Sequence, residues 1–206
     1  MRLLKAVALA SILVMHAQAA APWLGLAFQR AKLGVPRDHV IATLTWGPFV
    51  HTELLLGKGD GDVRAYAAFE GRAGFSPSTR RHGGPDWVVL RFALAPGGYE
   101  RAYALMLQLV ALGLPYNSRD LWQCCVKVAL PFEQDLDCER PDSWRDGGVF
   151  CSQAALLIVR RLARAGVVPL SPRQRARVED TNSRGCSPNA LFALLASPRP
   201  PHQKKT

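Results

Sequence analysis

Hydrophobic and polar positions divide the chain into a strand-rich first half and a helical second half. Val50 to Leu56 is a run of mostly apolar and β-branched positions bounded by Gly57, and it predicts a strand. Val63, Ala65, Ala67 and Phe69 alternate on one face of a second strand, entered through the Gly57–Asp62 turn cluster. Val40–Trp46 is also rich in β-branched residues and predicts a strand that Gly47-Pro48 interrupts, and Trp87–Phe92 predicts another. The period then changes. Ala102, Leu105, Met106, Leu109 and Leu112 fall at helical spacing, ended by Gly113 and Pro115. A second helix is expected from Phe150 to Ala165, after the Gly147-Gly148 turn and before Gly166. Strands followed by helices predict an α+β fold with an antiparallel sheet packed against helices.

At 206 residues the chain is long enough for one domain with extensions. Its ends differ from the body. Met1–Lys5 is basic, Ala6–Met15 is apolar, and Ala19–Pro22 supplies small residues, the pattern of a secretory signal peptide in residues 1–21. The rival reading of that segment is an N-terminal helix. Export would place the protein outside the cell or in the periplasm; otherwise it would be cytoplasmic or virion-associated. Residues 197–206 are Pro-rich and basic, and a disordered tail is expected there. The folded domain is expected over 38–196. No long uncharged apolar run lies in the body of the chain, so no transmembrane domain is expected beyond the N-terminal segment.

The net charge of +10 is concentrated at one end. Residues 160–206 hold ten Lys and Arg against Glu179 and Asp180, which gives +8 for that segment. A contact with an anionic surface or nucleic acid would fall there. No aromatic residues interleave with these charges as stacking platforms would, so nucleic acid is the weaker reading. The five cysteines contain no Cys-x-x-Cys pair, which argues against a zinc ribbon. Were the protein exported, they would allow two disulfides and one free thiol.

Two residues carry candidate chemistry. Cys151 opens the second helix, where unpaired backbone N–H groups and the positive end of the helix dipole favour thiolate over thiol. His51 sits on the first strand pair, placed to take and return a proton. A zinc site built on His51, Glu53 and Cys151 lacks a fourth ligand, so neither metal nor cofactor is expected. Asp60-Gly-Asp62 begins like a calcium loop, but Arg64 and Gly71 stand where oxygen ligands belong.

The order of these motifs resembles the circularly permuted papain-like cysteine hydrolases of the NlpC class. Thr45-Trp-Gly-Pro-Phe-Val-His51-Thr-Glu53-Leu is similar to the family's histidine strand. Gly113-Leu-Pro115-Tyr116-Asn117 is similar to its turn after the linking helix, Phe150-Cys151-Ser152-Gln153 to its nucleophile, and Ser187-Pro188-Asn189-Ala190-Leu191 to its final motif. The resemblance implies a permuted papain-like fold with Cys151 as nucleophile, His51 as base, and a third polar group that orients the histidine. Glu53 is the first choice for that group because the family shows a His-x-Glu pairing, and Glu70 is the alternative. Tyr66, and His82 in a later loop, lie in the same region. The implied activity is hydrolysis of a peptide-like amide or a lipid acyl ester. The rival readings are an inactive papain-like binding module and a basic protein that binds nucleic acid or an anionic surface.

Overall fold

The computed structural model describes residues 21–59, 61–70, 74–126 and 135–196. The N-terminal basic-apolar segment and the Pro-rich tail therefore lie outside the described residues, apart from Ala21. Five strands form one antiparallel sheet: β1 (Pro22–Arg30), β2 (Phe49–Lys58), β3 (Asp62–Phe69), β4 (Gly74–Ser78) and β5 (Trp87–Ala93), in spatial order β4-β3-β2-β1-β5. The helices are α1 (Pro36–Leu44), α2 (Gly98–Leu112), α3 (Ser118–Val126), a single turn α4 (Trp144–Gly147), α5 (Cys151–Arg164), α6 (Pro172–Asp180) and α7 (Pro188–Leu195). The α+β class follows from this arrangement.

The main core lies between the inner face of the sheet and α5. Leu24, Leu26 and Phe28 of β1, Leu54 and Leu56 of β2, and Tyr66 and Ala68 of β3 meet Ala154–Val159 of α5, with α2 and α7 closing the sides. Every residue from Cys151 to Arg160 is buried, so α5 is the central helix rather than a surface one. The residues Ala65 and Ala67 expected to share a face do so, but that face is the outer one, where Ala65 joins Trp23, Ala27 and Leu55 in a smaller cluster.

Two expectations are corrected. Val40–Trp46 is not a strand: Pro36 starts α1, and Asp38 in its first turn accepts the backbone N–H of Lys32 at 3.0 Å. β-Branched residues favour a strand only where sheet neighbours cover them, and here Val40 is exposed while Ile41 alone is buried in the helix. The folded unit also begins before residue 38, because β1 is hydrogen-bonded on both sides, to β2 and to β5. Its run is buried on both faces and interrupted by Gly25, so it lacks the alternation that marks a half-buried strand.

The arginines of the basic segment hold its helices together. Arg160 is buried, pairs with Asp135 at 2.9 Å and donates to the carbonyl of Val178. Arg164 pairs with Glu179, Arg175 donates to the Ala163 carbonyl, Arg177 to that of Ala193, and Arg184 pairs with Asp120. Among the described residues, no helix is long and apolar enough to cross a membrane.

Candidate active site

A bulge in β2 prepares the histidine. The register with β1 runs Gln29 to His51 and then Arg30 to Phe49, leaving Val50 as the extra residue. Bulges re-aim side chains. Phe49 enters the main core here, whereas His51 joins Glu53 and Leu55 on the other side of the strand. Asn189, the first residue after Pro188 in α7, fixes the start of β2. Its Oδ1 accepts the Phe49 N–H at 2.9 Å, and its Nδ2 donates to the Phe49 carbonyl at 2.9 Å and to Thr45 Oγ1 at 2.6 Å. A Cβ on Gly47 would come within 2.4 Å of that same Oδ1, so the close approach requires glycine. Two of the noted motifs, some 140 residues apart, are thus one structural joint.

A second joint places the cysteine. Val149 donates to the Pro115 carbonyl at 2.9 Å and accepts from Asn117 N–H at 3.2 Å, so the Gly-Leu-Pro-Tyr-Asn turn pairs with the segment entering α5. Gly148, at φ 68°, allows that segment to lie against Pro115, where a Cβ would meet the carbonyl oxygen at 2.6 Å. Gln153 closes the helix start by accepting the Phe150 N–H at 3.3 Å. Ser152 does not cap the helix as its type suggests; its hydroxyl donates to the Cys186 carbonyl at 2.7 Å.

These joints bring the buried Cys151 and the partly buried His51 together as a pair. The β2–β3 ladder ends at Leu54 and Tyr66, and beyond that point the N–H of Thr52 hydrogen-bonds the Cys151 sulfur, as does the N–H of Ser152. Burial by itself pushes the thiol pKa up, but the charge of His51, its hydrogen bond and these two backbone donors outweigh it and hold Cys151 below the ordinary thiol range. Burial likewise works to lower the His51 pKa. The Cys151 thiolate and then Glu53 overcome it, and His51 is raised to about 9. Two other thiols behave differently: burial pushes Cys138 up to about 11 and Cys186 to about 12. Cys138, Cys151 and Cys186 are all unbridged, so two disulfides do not form.

Glu53 lies beside this pair and is wholly buried. Its Oε1 is 3.3 Å from His51 Nε2, a close ion-pair approach without hydrogen-bond alignment, and 3.6 Å from Arg80 Nη1. Its Oε2 is 2.8 Å from His82 Nε2. Burial alone would raise its pKa, but His51, His82 and Ser78 stabilise the carboxylate and hold it at about 2. Glu70, the alternative orienting residue, is engaged elsewhere: it pairs with Arg37 of α1 and accepts from Ser118 Oγ at 3.4 Å. Tyr66 points into the main core and stacks near Phe75. Among Glu53's other partners the sequence pointed only to His82, as a loop residue in the same region ranked behind Glu53 and Glu70, and it gave no role to Ser78 or Arg80. They lie more than 24 residues from Glu53 in a polar stretch, and no local spacing connects them to it.

A groove of about 200 Å³ opens beside His51. Ile41, Val50 and Leu121 give it an apolar wall, and Arg37, Glu70 and Arg80 lie along its rim. Tyr116 lines the groove while also packing against the core. Among the described residues, no cluster of three or more His, Cys, Asp or Glu could hold a metal ion. The chain matches no family model, no curated protein and no solved structure.

Proposed function

We propose that the chain is a cysteine hydrolase of permuted papain-like architecture, acting on an amide or ester. The observation that carries this reading is the contact of buried Cys151 with partly buried His51, backed by the buried carboxylate of Glu53. A thiol held below its usual range beside an imidazole held above its own favours the thiolate–imidazolium form of the pair. The Cys151 thiolate attacks the substrate carbonyl carbon, and a C–S bond forms. His51 donates its proton to the departing amine or alkoxide as the C–N or C–O bond breaks. Neutral His51 then takes a proton from water, whose oxygen attacks the thioester. The C–S bond breaks, the acid is released and the thiolate–imidazolium pair returns. Backbone N–H groups at the start of α5 stabilise the oxyanion, and Glu53 holds the imidazole in place.

The test is acylation by 4-nitrophenyl acetate. A burst of one nitrophenolate per chain, with the acetyl group on the Cys151 peptide and lost in Cys151→Ala, supports the reading. Slow acetylation spread over lysines and unchanged in Cys151→Ala would overturn it.

One observation favours an inactive binding module instead: Cys151 is only 2% exposed. On that reading the sulfur reacts with no acyl donor, however small, in the folded protein.

A further inference from the structure

The outer face of the sheet holds a larger cavity than the groove beside His51, about 540 Å³, within the ~300–1,000 Å³ typical of small-molecule sites. Its floor is apolar and built from Trp23, Leu55 and Ala65, all buried. Trp23 is fixed there. Its ring lies across Gly25 and Gly57, where added Cβ atoms would fall within 2.7 Å and 2.5 Å of it, and its Nε1 donates to the Gly59 carbonyl at 3.0 Å. The floor is therefore pre-organised, and the exposed Arg91 side chain that lies over the ring is the group a ligand would engage and shift.

The rim has the opposite character. Arg80, Arg81 and Arg91 line the cavity, with Arg91 stacked 4.3 Å above the Trp23 ring, and His82 closes one end. Among the described residues no carboxylate lines it. Arg80 is held by Glu53 and Gln29, so Arg81 and Arg91 over the apolar floor are the groups that complement an anionic head on a hydrocarbon body. A second copy of this surface would bring like charges together, which disfavours self-association here.

We propose that this cavity is a binding site for a small anionic amphiphile, a carboxylate or phosphate monoester carrying a short apolar chain. The site contains neither Cys151 nor His51, so it stands whether or not the hydrolase reading does. Titration calorimetry on the full chain with octyl phosphate, octanoate, octanol and inorganic phosphate tests it. One octyl phosphate or octanoate per chain is expected. Arg81→Glu and Arg91→Glu should each weaken it by about tenfold or more. Both side chains are exposed, so these variants leave the core intact. Arg119→Glu, the same charge change at an exposed position of α3, should leave binding unchanged. Binding of octanol or of inorganic phosphate as tight as that of octyl phosphate would overturn the proposal. So would equal weakening by Arg119→Glu, or no binding at millimolar concentration.

Discussion

Replacing Glu53 by glutamine keeps the shape of the side chain and removes its charge from between two imidazoles and a guanidinium. In the wild-type protein His51 stands at about 9. The Cys151 thiolate does most to raise it, and Glu53, 3.3 Å away, adds a smaller part. Two unit charges 3.3 Å apart interact by about 5 kcal/mol at an effective dielectric of ~20, which is a ceiling for Glu53 because Arg80 and His82 also lie against its carboxylate. A reduction of roughly 1–2 pH units in the His51 midpoint is therefore expected, or about 1.4–2.7 kcal/mol of imidazolium stabilisation. NMR titration of ¹⁵N-histidine-labelled protein reads that midpoint directly. A His51 midpoint unchanged within a few tenths of a unit would refute the assignment of Glu53 as its electrostatic partner. The acid limb supplies a second readout. Glu53 falls from 4.5 to about 2 on folding, so its contribution is present above the unfolded value and lost as pH drops through about 2. That component, about 3 kcal/mol by linkage, should be missing from the acid unfolding profile of Glu53→Gln.

His82→Ala leaves the buried Glu53 Oε2 without its 2.8 Å partner. The His51 midpoint should shift and Cys151 alkylation should slow, with His82→Asn restoring part of both; identical profiles in the two variants would deny His82 a positioning role. Asn189→Ala removes three hydrogen bonds at the joint between α7 and β2. It should cost about 2–4 kcal/mol in urea denaturation and slow Cys151 alkylation in the folded protein. Gly148→Ala forces a side chain to φ 68° and against the Pro115 carbonyl. A loss of at least ~1–3 kcal/mol is expected, accompanied by a higher Cys151 midpoint. In the wild type the Cys151–His51 pair should contribute little pH dependence of stability between about 6.5 and 9, because folding moves a proton from thiol to imidazole without changing the number bound. A steep slope in that window, absent from Cys151→Ala, would contradict the ion pair.

Helix α2 was legible from its apolar periodicity and α5 from the glycine turn before it and the long apolar run that follows, and the stops at Gly113 and Gly166 do take positive φ. Strand β1 was not legible, since burial on both faces erases alternation. The α1 segment misled because its β-branched residues describe a tendency that only sheet neighbours realise. At the site, the helix start at Cys151 and the His-x-Glu spacing pointed to groups that folding does bring into contact. What the sequence could not reveal was the remainder of the carboxylate's surroundings. His82, Ser78 and Arg80 reach Glu53 through the β3–β4 hairpin and the loop beyond it, and tertiary geometry of that kind leaves no periodic trace. Nor could the basic count near the C-terminus reveal that Arg160, Arg164 and Arg184 are paired within the fold.

The most direct test of the central claim is the pH dependence of iodoacetamide alkylation at Cys151, followed by peptide mass spectrometry with Cys138 and Cys186 as internal standards. A midpoint for Cys151 well below the ordinary thiol's ~8.5 is expected, rising in His51→Ala, while Cys138 and Cys186 stay unreactive until about 11 and 12. A Cys151 midpoint at or above the ordinary value, or alkylation only when the protein unfolds, would contradict the thiolate–imidazolium pair and the hydrolase reading with it.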